Sequence, residues 1–188
     1  MIKILFVCHG NICRSPMGEF VLKDMVEKAG REEEFEIASR AVSREEIGNP
    51  VYPPARKEMK KHGIRCDGHS ARQISMADYR HFDRIYYMDQ SNARMLARML
   101  PEDSEKIRPL LPRDVADPWY TGNFSRTWDD IVEGCRRILE EYIYNRRAQK
   151  PAPFLFWDGD GQHDLGICFP ALRDSAYPGQ LDFLQGLG

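Results

Sequence analysis

Short apolar runs alternate with helix-like segments along most of this chain, and this alternation restricts the fold more than any other feature. Ile2–Val7 is a short, mostly apolar run typical of a strand buried on both faces. Three further runs predict strands: Phe35–Ser39, Phe82–Met88 and Lys106–Leu111. Strands and helices that alternate in this way favour a parallel sheet that is covered on both faces.

The segments between these runs predict the helices. Ser15, which precedes a proline, is predicted as the N-cap of a helix that ends at Gly30. A basic helix is predicted to end near His62, Gln90–Leu100 predicts another, and Thr127–Arg147 has the longest apolar stripe. The pattern predicts an α/β fold, a flavodoxin-like or Rossmann-like three-layer sandwich with a four-stranded parallel sheet and helices on both faces.

Composition divides the chain in two. The 188 residues include 27 Lys and Arg against 29 Asp and Glu, which argues against a protein that mainly binds nucleic acid or an anionic membrane. Residues 1–150 are predicted to form one domain. Residues 151–188, with one Arg against five Asp and 6 of the 14 glycines, are predicted to be a weakly ordered, acidic, aromatic-rich extension. Five unevenly spaced cysteines indicate reduced thiols, and the chain has no signal-peptide pattern and no apolar run of membrane-spanning length, so a cytoplasmic location is expected.

The segment Cys8–Ser15 follows the first predicted strand, at the sheet edge where ligands bind in such folds. Gly10 lets backbone N–H groups approach a ligand, and a loop of such groups before a helix binds anions. Arg14 adds a planar, bidentate donor for phosphate oxygens. The same positive field favours the thiolate of Cys8, which is a nucleophile for phosphorus. Ser15 can donate a hydrogen bond to this sulfur and stabilise it as a leaving group.

A second Cys and Arg pair with the same spacing, Cys66 and Arg72, lacks this context. It follows a helix end rather than a strand, Asp67 would repel a phosphate, and Gln73 replaces the hydroxyl residue. Cys66 is therefore predicted to be structural or incidental.

Asp117 is the candidate general acid. Displacement of an alkoxide or phenoxide needs a group that protonates the leaving oxygen. Pro118 stiffens the backbone after this carboxylate, and Trp119 and Tyr120 could wall a slot for a flat substrate. A turn with both aromatic rings packed inward is the alternative for this segment alone, and the presence of the Cys8 loop favours the acid.

Five stretches in this order resemble one known family. Cys8–Met17 is similar to the phosphate loop of the low-molecular-weight protein tyrosine phosphatases, and Asp117-Pro118 is similar to their acid loop. Three stretches between them also resemble the family: Glu46–Pro50, His69–Ile74 and Met88–Asn92. The resemblance extends from about residue 2 to residue 144, and residues 151–188 match nothing in the family.

The resemblance implies hydrolysis of phosphotyrosine and small aryl phosphates through a thiophosphate on Cys8, with Asp117 as acid and then base. It implies no cofactor and no metal, and Cys66 with His69 offers too few ligands for zinc. It also implies a possible protective disulfide between Cys8 and Cys13. The implied catalytic residues are Cys8, Arg14, Asp117 and Ser15; the phosphate-binding or substrate-binding residues are His9, Gly10, Asn11, Ile12, Cys13, Trp119, Tyr120 and Glu45; the residues that brace the loop are Asn11, Ser39 and His69.

The chain departs from the family at the rim of the slot. Glu45 stands where relatives often carry an aromatic residue, and His9 replaces an aliphatic residue frequent in animal members. Only Tyr120 follows Trp119, where the animal pattern has a tyrosine pair. An acidic rim would disfavour strongly acidic phosphopeptides. We expect tyrosine-phosphorylated protein substrates, no nucleic-acid partner, no membrane span, and a monomer or weak dimer.

Three alternative functions are weighed against phosphotyrosine hydrolysis, two of them from relatives with the same fold. Arsenate reductases add a close pair of downstream cysteines, whereas the later cysteines here are Cys66, Cys135 and Cys168. Protein-arginine phosphatases resemble this loop but carry Thr where Ile12 stands, since a hydroxyl suits a guanidinium. A non-catalytic phosphate-binding module should have lost Cys8, the loop arginine or the acid, and all three are present.

Overall fold

The computed structural model describes residues 1–103 and 105–149, with side chains as far as residue 142. The predicted extension 151–188 lies outside the described residues, so its boundary and character stay predictions. The strands are β1 (Ile2–Cys8), β2 (Phe35–Ala41), β3 (Arg84–Tyr87) and β4 (Ile107–Pro109). The helices are α1 (Arg14–Lys28), α2 (Pro53–Lys61), α3 (Met76–His81), α4 (Gln90–Met99), α5 (Pro118–Thr121) and α6 (Phe124–Gln149).

The four strands form one parallel sheet in the order β2-β1-β3-β4. The chain leaves β1 toward β2 on one side and later returns to β3 on the other side. The order therefore reverses at the carboxyl end of β1, which is where ligands bind in open α/β sheets. Cys8 is the last residue of β1 and pairs with Ala41 of β2.

Helices cover both faces of the sheet, as the alternation predicts, because successive side chains of β1 point to opposite faces. On one face, the ring of Phe6 lies so close to α1 that a Cβ on Gly18 would be 2.7 Å from it. Helix α6 packs on α1 there. On the other face, Leu5 and Val7 belong to an apolar cluster with Leu96 of α4.

Two predicted helix starts are wrong, the first because of a contact within the site and the second because of a local cap. Helix α1 begins at Arg14 with Cys13 at the N-cap and no side-chain cap, because the hydroxyl of Ser15 is engaged elsewhere. Helix α6 begins at Phe124, earlier than predicted, where the Asn123 side chain accepts the Arg126 N–H at 2.9 Å. Across the ranges 1–103 and 105–149, no helix has the length and apolarity needed to cross a membrane.

Candidate active site

The phosphate loop, residues 8–15, joins β1 to α1 and is held by backbone hydrogen bonds from its neighbours. Val42 N–H donates to the Cys8 carbonyl at 2.9 Å, and Ser43 N–H donates to the His9 carbonyl at 3.0 Å. Tyr52 N–H donates to the Ile12 carbonyl at 2.9 Å. Because these bonds take up carbonyl groups on the outside of the loop, they help to hold it as an anion-binding curve.

Cys8 is buried at the base of this loop, with 3% of its surface exposed. Its Sγ lies 3.0 Å from Ser15 Oγ and accepts the Asn11 N–H at 3.3 Å. Asn11 has a φ of 59°, a left-handed conformation that Asn tolerates better than most residues and that turns its N–H toward the sulfur. Both contacts stabilise negative charge on the sulfur.

Arg14 is buried beside Cys8 and binds two carboxylates. Its Nη1 donates to Asp89 Oδ2 and its Nη2 to Asp117 Oδ2, each at 2.5 Å. Burial opposes the charge of this guanidinium, but Cys8, Asp117 and Asp89 outweigh burial and raise the pKa of Arg14 above its ordinary value. Arg14 therefore stays charged and holds Asp117 on the same side of the site as Cys8.

Asp89 was not assigned a role from the sequence, although it lies in the stretch Met88–Asn92. It is the N-cap of α4 and accepts the Asn92 N–H at 2.7 Å through its other oxygen. One signal could have identified it, because it follows β3 and the carboxyl ends of parallel strands meet at one edge of the sheet.

Asp117 is the N-cap of the short helix α5 and accepts the Trp119 N–H at 3.0 Å through Oδ1. A quarter of its side chain is exposed. Trp119 is 60% exposed and Tyr120 is 85% exposed, so the turn with inward-packed rings is excluded. The ring of Trp119 lies 5.6 Å from that of Tyr52, centroid to centroid, and the two form an aromatic wall beside the acid.

The structure brings Asn11 together with the other predicted bracing residues. Asn11 Nδ2 donates to Ser15 Oγ at 2.9 Å and to Ser39 Oγ at 2.8 Å. Its Oδ1 accepts the Arg72 N–H at 3.1 Å, which determines the orientation of the amide. His69 Nε2 lies 2.7 Å from the Asn11 carbonyl oxygen. Asn11 thus connects the phosphate loop to β2 and to the segment after α2.

Glu19, on the next turn of α1, terminates this network and was missed from the sequence. Ser39 Oγ donates to Glu19 Oε2 at 2.5 Å, since an ionised carboxylate only accepts. Ser39 can then only accept from Asn11, and Asn11 donates to Ser15. The proton of the Ser15 hydroxyl is left for the Cys8 sulfur at 3.0 Å or the Arg40 carbonyl at 3.2 Å.

The remaining loop residues differ in exposure. Ile12 and Cys13 are buried, and burial, with the nearby Cys8 and Asp117, raises the pKa of the Cys13 thiol to about 12. At the rim, His9 Nε2 lies 2.8 Å from Glu45 Oε2.

Cys66, which the sequence predicts to be structural or incidental, belongs to the second Cys and Arg pair. Cys66 is buried, and desolvation raises the pKa of its thiol. Cys8, Cys13, Cys66 and Cys135 are all free thiols. Within the part of the chain that the structure describes, no three His, Cys, Asp or Glu side chains are grouped as metal ligands.

A protein-family model and a known relative match most of this chain. Residues 3–148 match the family model of the low molecular weight phosphotyrosine protein phosphatases. The low molecular weight protein-tyrosine-phosphatase YfkJ of Bacillus subtilis is 39% identical over 147 residues, covering 74% of this chain and 94% of that protein.

Solved structures of phosphatases superpose on this chain. The low molecular weight protein tyrosine phosphatase of Streptococcus pyogenes superposes with a TM-score of 0.72 at 36% identity, over 80% of this chain and 99% of that one. DARP, a Drosophila arginine phosphatase, superposes with a TM-score of 0.67 at 32% identity, over 75% of this chain and 98% of that one. The chain therefore belongs to the low molecular weight phosphotyrosine protein phosphatase family.

Proposed function

We propose that this chain is a cysteine-dependent protein-tyrosine phosphatase. The observation that carries the proposal is the grouping of Cys8, Arg14 and Asp117 at the carboxyl edge of the sheet. A buried sulfur at the base of an N–H loop, a guanidinium beside it and a carboxylate bound to that guanidinium supply the three functions that phosphoryl transfer requires.

In the first step, the Cys8 thiolate attacks phosphorus while the bond to the tyrosyl oxygen breaks. Arg14 and the loop N–H groups hold the other phosphate oxygens as charge moves onto them. Protonated Asp117 gives its proton to the departing phenolate oxygen. The products are free tyrosine side chain and a phosphate ester on the sulfur of Cys8.

In the second step, water attacks the same phosphorus. Asp117, now a carboxylate, takes a proton from that water, and the bond between sulfur and phosphorus breaks. The hydroxyl of Ser15, 3.0 Å from the sulfur, stabilises the thiolate as it leaves. Inorganic phosphate is released and Cys8 returns to its starting form.

The walls of the site favour an aromatic ester. Ile12 presents an apolar side chain in the loop, and Trp119 with Tyr52 forms an aromatic wall next to the acid. Protein-arginine phosphatase activity is the second candidate, because one structural neighbour is an arginine phosphatase. The apolar Ile12 favours phosphotyrosine, since it has no hydroxyl for a guanidinium nitrogen.

The proposal is tested by hydrolysis of p-nitrophenyl phosphate and a phosphotyrosine peptide without added metal. We expect Cys8→Ser to abolish turnover of both, and wild-type turnover in this variant would overturn the mechanism. Phosphoarginine and phosphotyrosine are compared at equal enzyme concentration. Faster turnover of phosphoarginine would replace the first candidate by the second.

We also propose a cellular location, a substrate class and an oligomeric state for this protein. Free thiols at all four described cysteines support a reducing, cytoplasmic location. We propose tyrosine-phosphorylated proteins as substrates and a monomer or weak dimer as the working form. Sedimentation of the full chain across a concentration series tests the oligomeric state.

A further inference from the structure

We propose that Glu45 and Glu46 form a binding site for a basic side chain next to the phosphotyrosine of a substrate. This inference rests on the proposed function and names the class of peptide that the same site prefers. A lysine or arginine near the phosphotyrosine would approach these carboxylates while the phosphate occupies the loop.

The two glutamates are held against the phosphate loop. The backbone just before them is tied to the loop by the Val42 and Ser43 N–H bonds to the carbonyls of residues 8 and 9. The Glu45 carboxylate reaches His9 Nε2 at 2.8 Å, and the Cγ of Glu46 lies 3.0 Å from where a Cβ on Gly10 would be. Both side chains thus lie against the phosphate loop, one at His9 and the other at Gly10.

Both carboxylates remain available to a substrate. The Glu45 side chain is 69% exposed even with His9 bound to one of its oxygens. Glu46 is partly exposed, and Asn49 Nδ2 donates to its Oε2 at 2.6 Å, which orients the carboxylate without neutralising it. Each carboxylate can therefore bind a cation from the solvent side.

The charge balance of the site favours a basic partner over an acidic one. Arg14, the cation of the loop, is paired with Asp89, so its charge is balanced within the site even when Asp117 is protonated for the first step. Arg44, which precedes the two glutamates in sequence and is exposed, adds one positive charge against their two negative charges. An acidic flanking residue would therefore meet a net negative rim, and a basic one would be attracted.

The expected change in kcat/KM can be sized from the energies of exposed ion pairs. Such pairs contribute about 0.2–1 kcal/mol, which corresponds to at most about fivefold in kcat/KM for each charge. A change from Lys to Glu next to the phosphotyrosine replaces attraction by repulsion, so we expect about tenfold between the two peptides at low ionic strength. Salt should reduce this ratio because the charges are exposed.

The experiment uses three phosphotyrosine peptides that differ only in one flanking position, with Lys, Gln or Glu. The ratio of kcat/KM for the Lys and Glu peptides is measured in the wild-type chain and in the double variant Glu45→Gln, Glu46→Gln. The matched control is the double variant Glu102→Gln, Glu105→Gln, which removes the same two charges from exposed residues just before β4, at the amino edge of the sheet. We expect the ratio to fall close to one in the double variant and to stay at about ten in the control.

The possible outcomes separate a failure of this inference from a failure of the proposed function. Turnover of the Gln peptide by the wild-type chain, with equal rates for the Lys and Glu peptides, would overturn this inference and leave the proposed function intact. A ratio that falls equally in the control variant would also overturn it, because net charge would then be the cause. Failure to hydrolyse any of the three peptides would overturn the proposed function and this inference together.

Discussion

Asp117 has two roles in the structure, and two substitutions separate them. Its carboxyl group is the proposed general acid, with Oδ2 bound to Arg14, and its Oδ1 caps α5 through the Trp119 N–H at 3.0 Å. Asn keeps the capping oxygen and cannot give up a proton at neutral pH, whereas Ala removes both functions. Asp117→Asn therefore removes the acid and its ion pair with Arg14 but keeps the cap, and Asp117→Ala removes the cap as well.

The two losses have different sizes. Removal of a general acid costs about 10²- to 10⁴-fold in rate for a poor leaving group. The tyrosine phenol, with a pKa of about 10, is such a group, and p-nitrophenol is a better one. Loss of an N-cap costs about 1 kcal/mol of stability. Both variants should lose similar kcat/KM toward phosphotyrosine, and the Ala variant alone should also lose stability.

The assay measures kcat/KM for a series of aryl phosphates that differ in the pKa of the phenol released, because this constant reports formation of the thiophosphate. In the wild-type chain, protonation by the acid should make the rate nearly independent of phenol pKa. In Asp117→Asn the rate should fall steeply as that pKa rises. A slope as shallow as that of the wild-type chain would refute the assignment of Asp117 as the acid.

Three further predictions concern packing, the hydrogen-bond network and the second loop thiol. Gly134→Ala should lower the free energy of unfolding by about 1 kcal/mol or more, because the new Cβ would overlap the Leu110 side chain; an unchanged urea midpoint would contradict this. Glu19→Gln should lower kcat several-fold without raising KM, and the effect should disappear in a Ser39→Ala background, whereas an undiminished effect there would exclude action through that hydroxyl. Because burial raises the pKa of Cys13 to about 12, iodoacetate at neutral pH should leave this thiol unmodified, as peptide mapping by mass spectrometry would establish, and rapid alkylation would contradict its burial.

Local chemistry explains why much of the site was predictable. The anion loop depends on adjacent residues that follow a strand and precede a helix, and Cys8–Ser15 has both neighbours in sequence. Asp117 was identified in the same way, through the proline and aromatic residues beside it. The parallel sheet followed from the alternation of apolar runs and helices, which is also a local signal.

Long-range contacts account for what was missed. Asp89 is 75 residues from Arg14, and only the sheet order brings them together. Glu19 resembles any acidic residue on a helix surface until Ser39 of β2 lies beside it. Ser15 has the pattern of an N-cap, yet its hydroxyl bonds within the site, and the helix begins two residues earlier, with Cys13 at the N-cap. In each case a tertiary partner outweighs the local signal.

The central claim is that phosphate passes through the sulfur of Cys8. The most direct measurement is acid quenching of the enzyme during turnover of an aryl phosphate, followed by proteolysis and mass spectrometry of the phosphorylated peptide. The account predicts phosphate on the peptide that contains Cys8, at a level that rises in Asp117→Asn with p-nitrophenyl phosphate because the second step is slowed. Steady turnover with no phosphate on Cys8, or with phosphate on another residue, would contradict it.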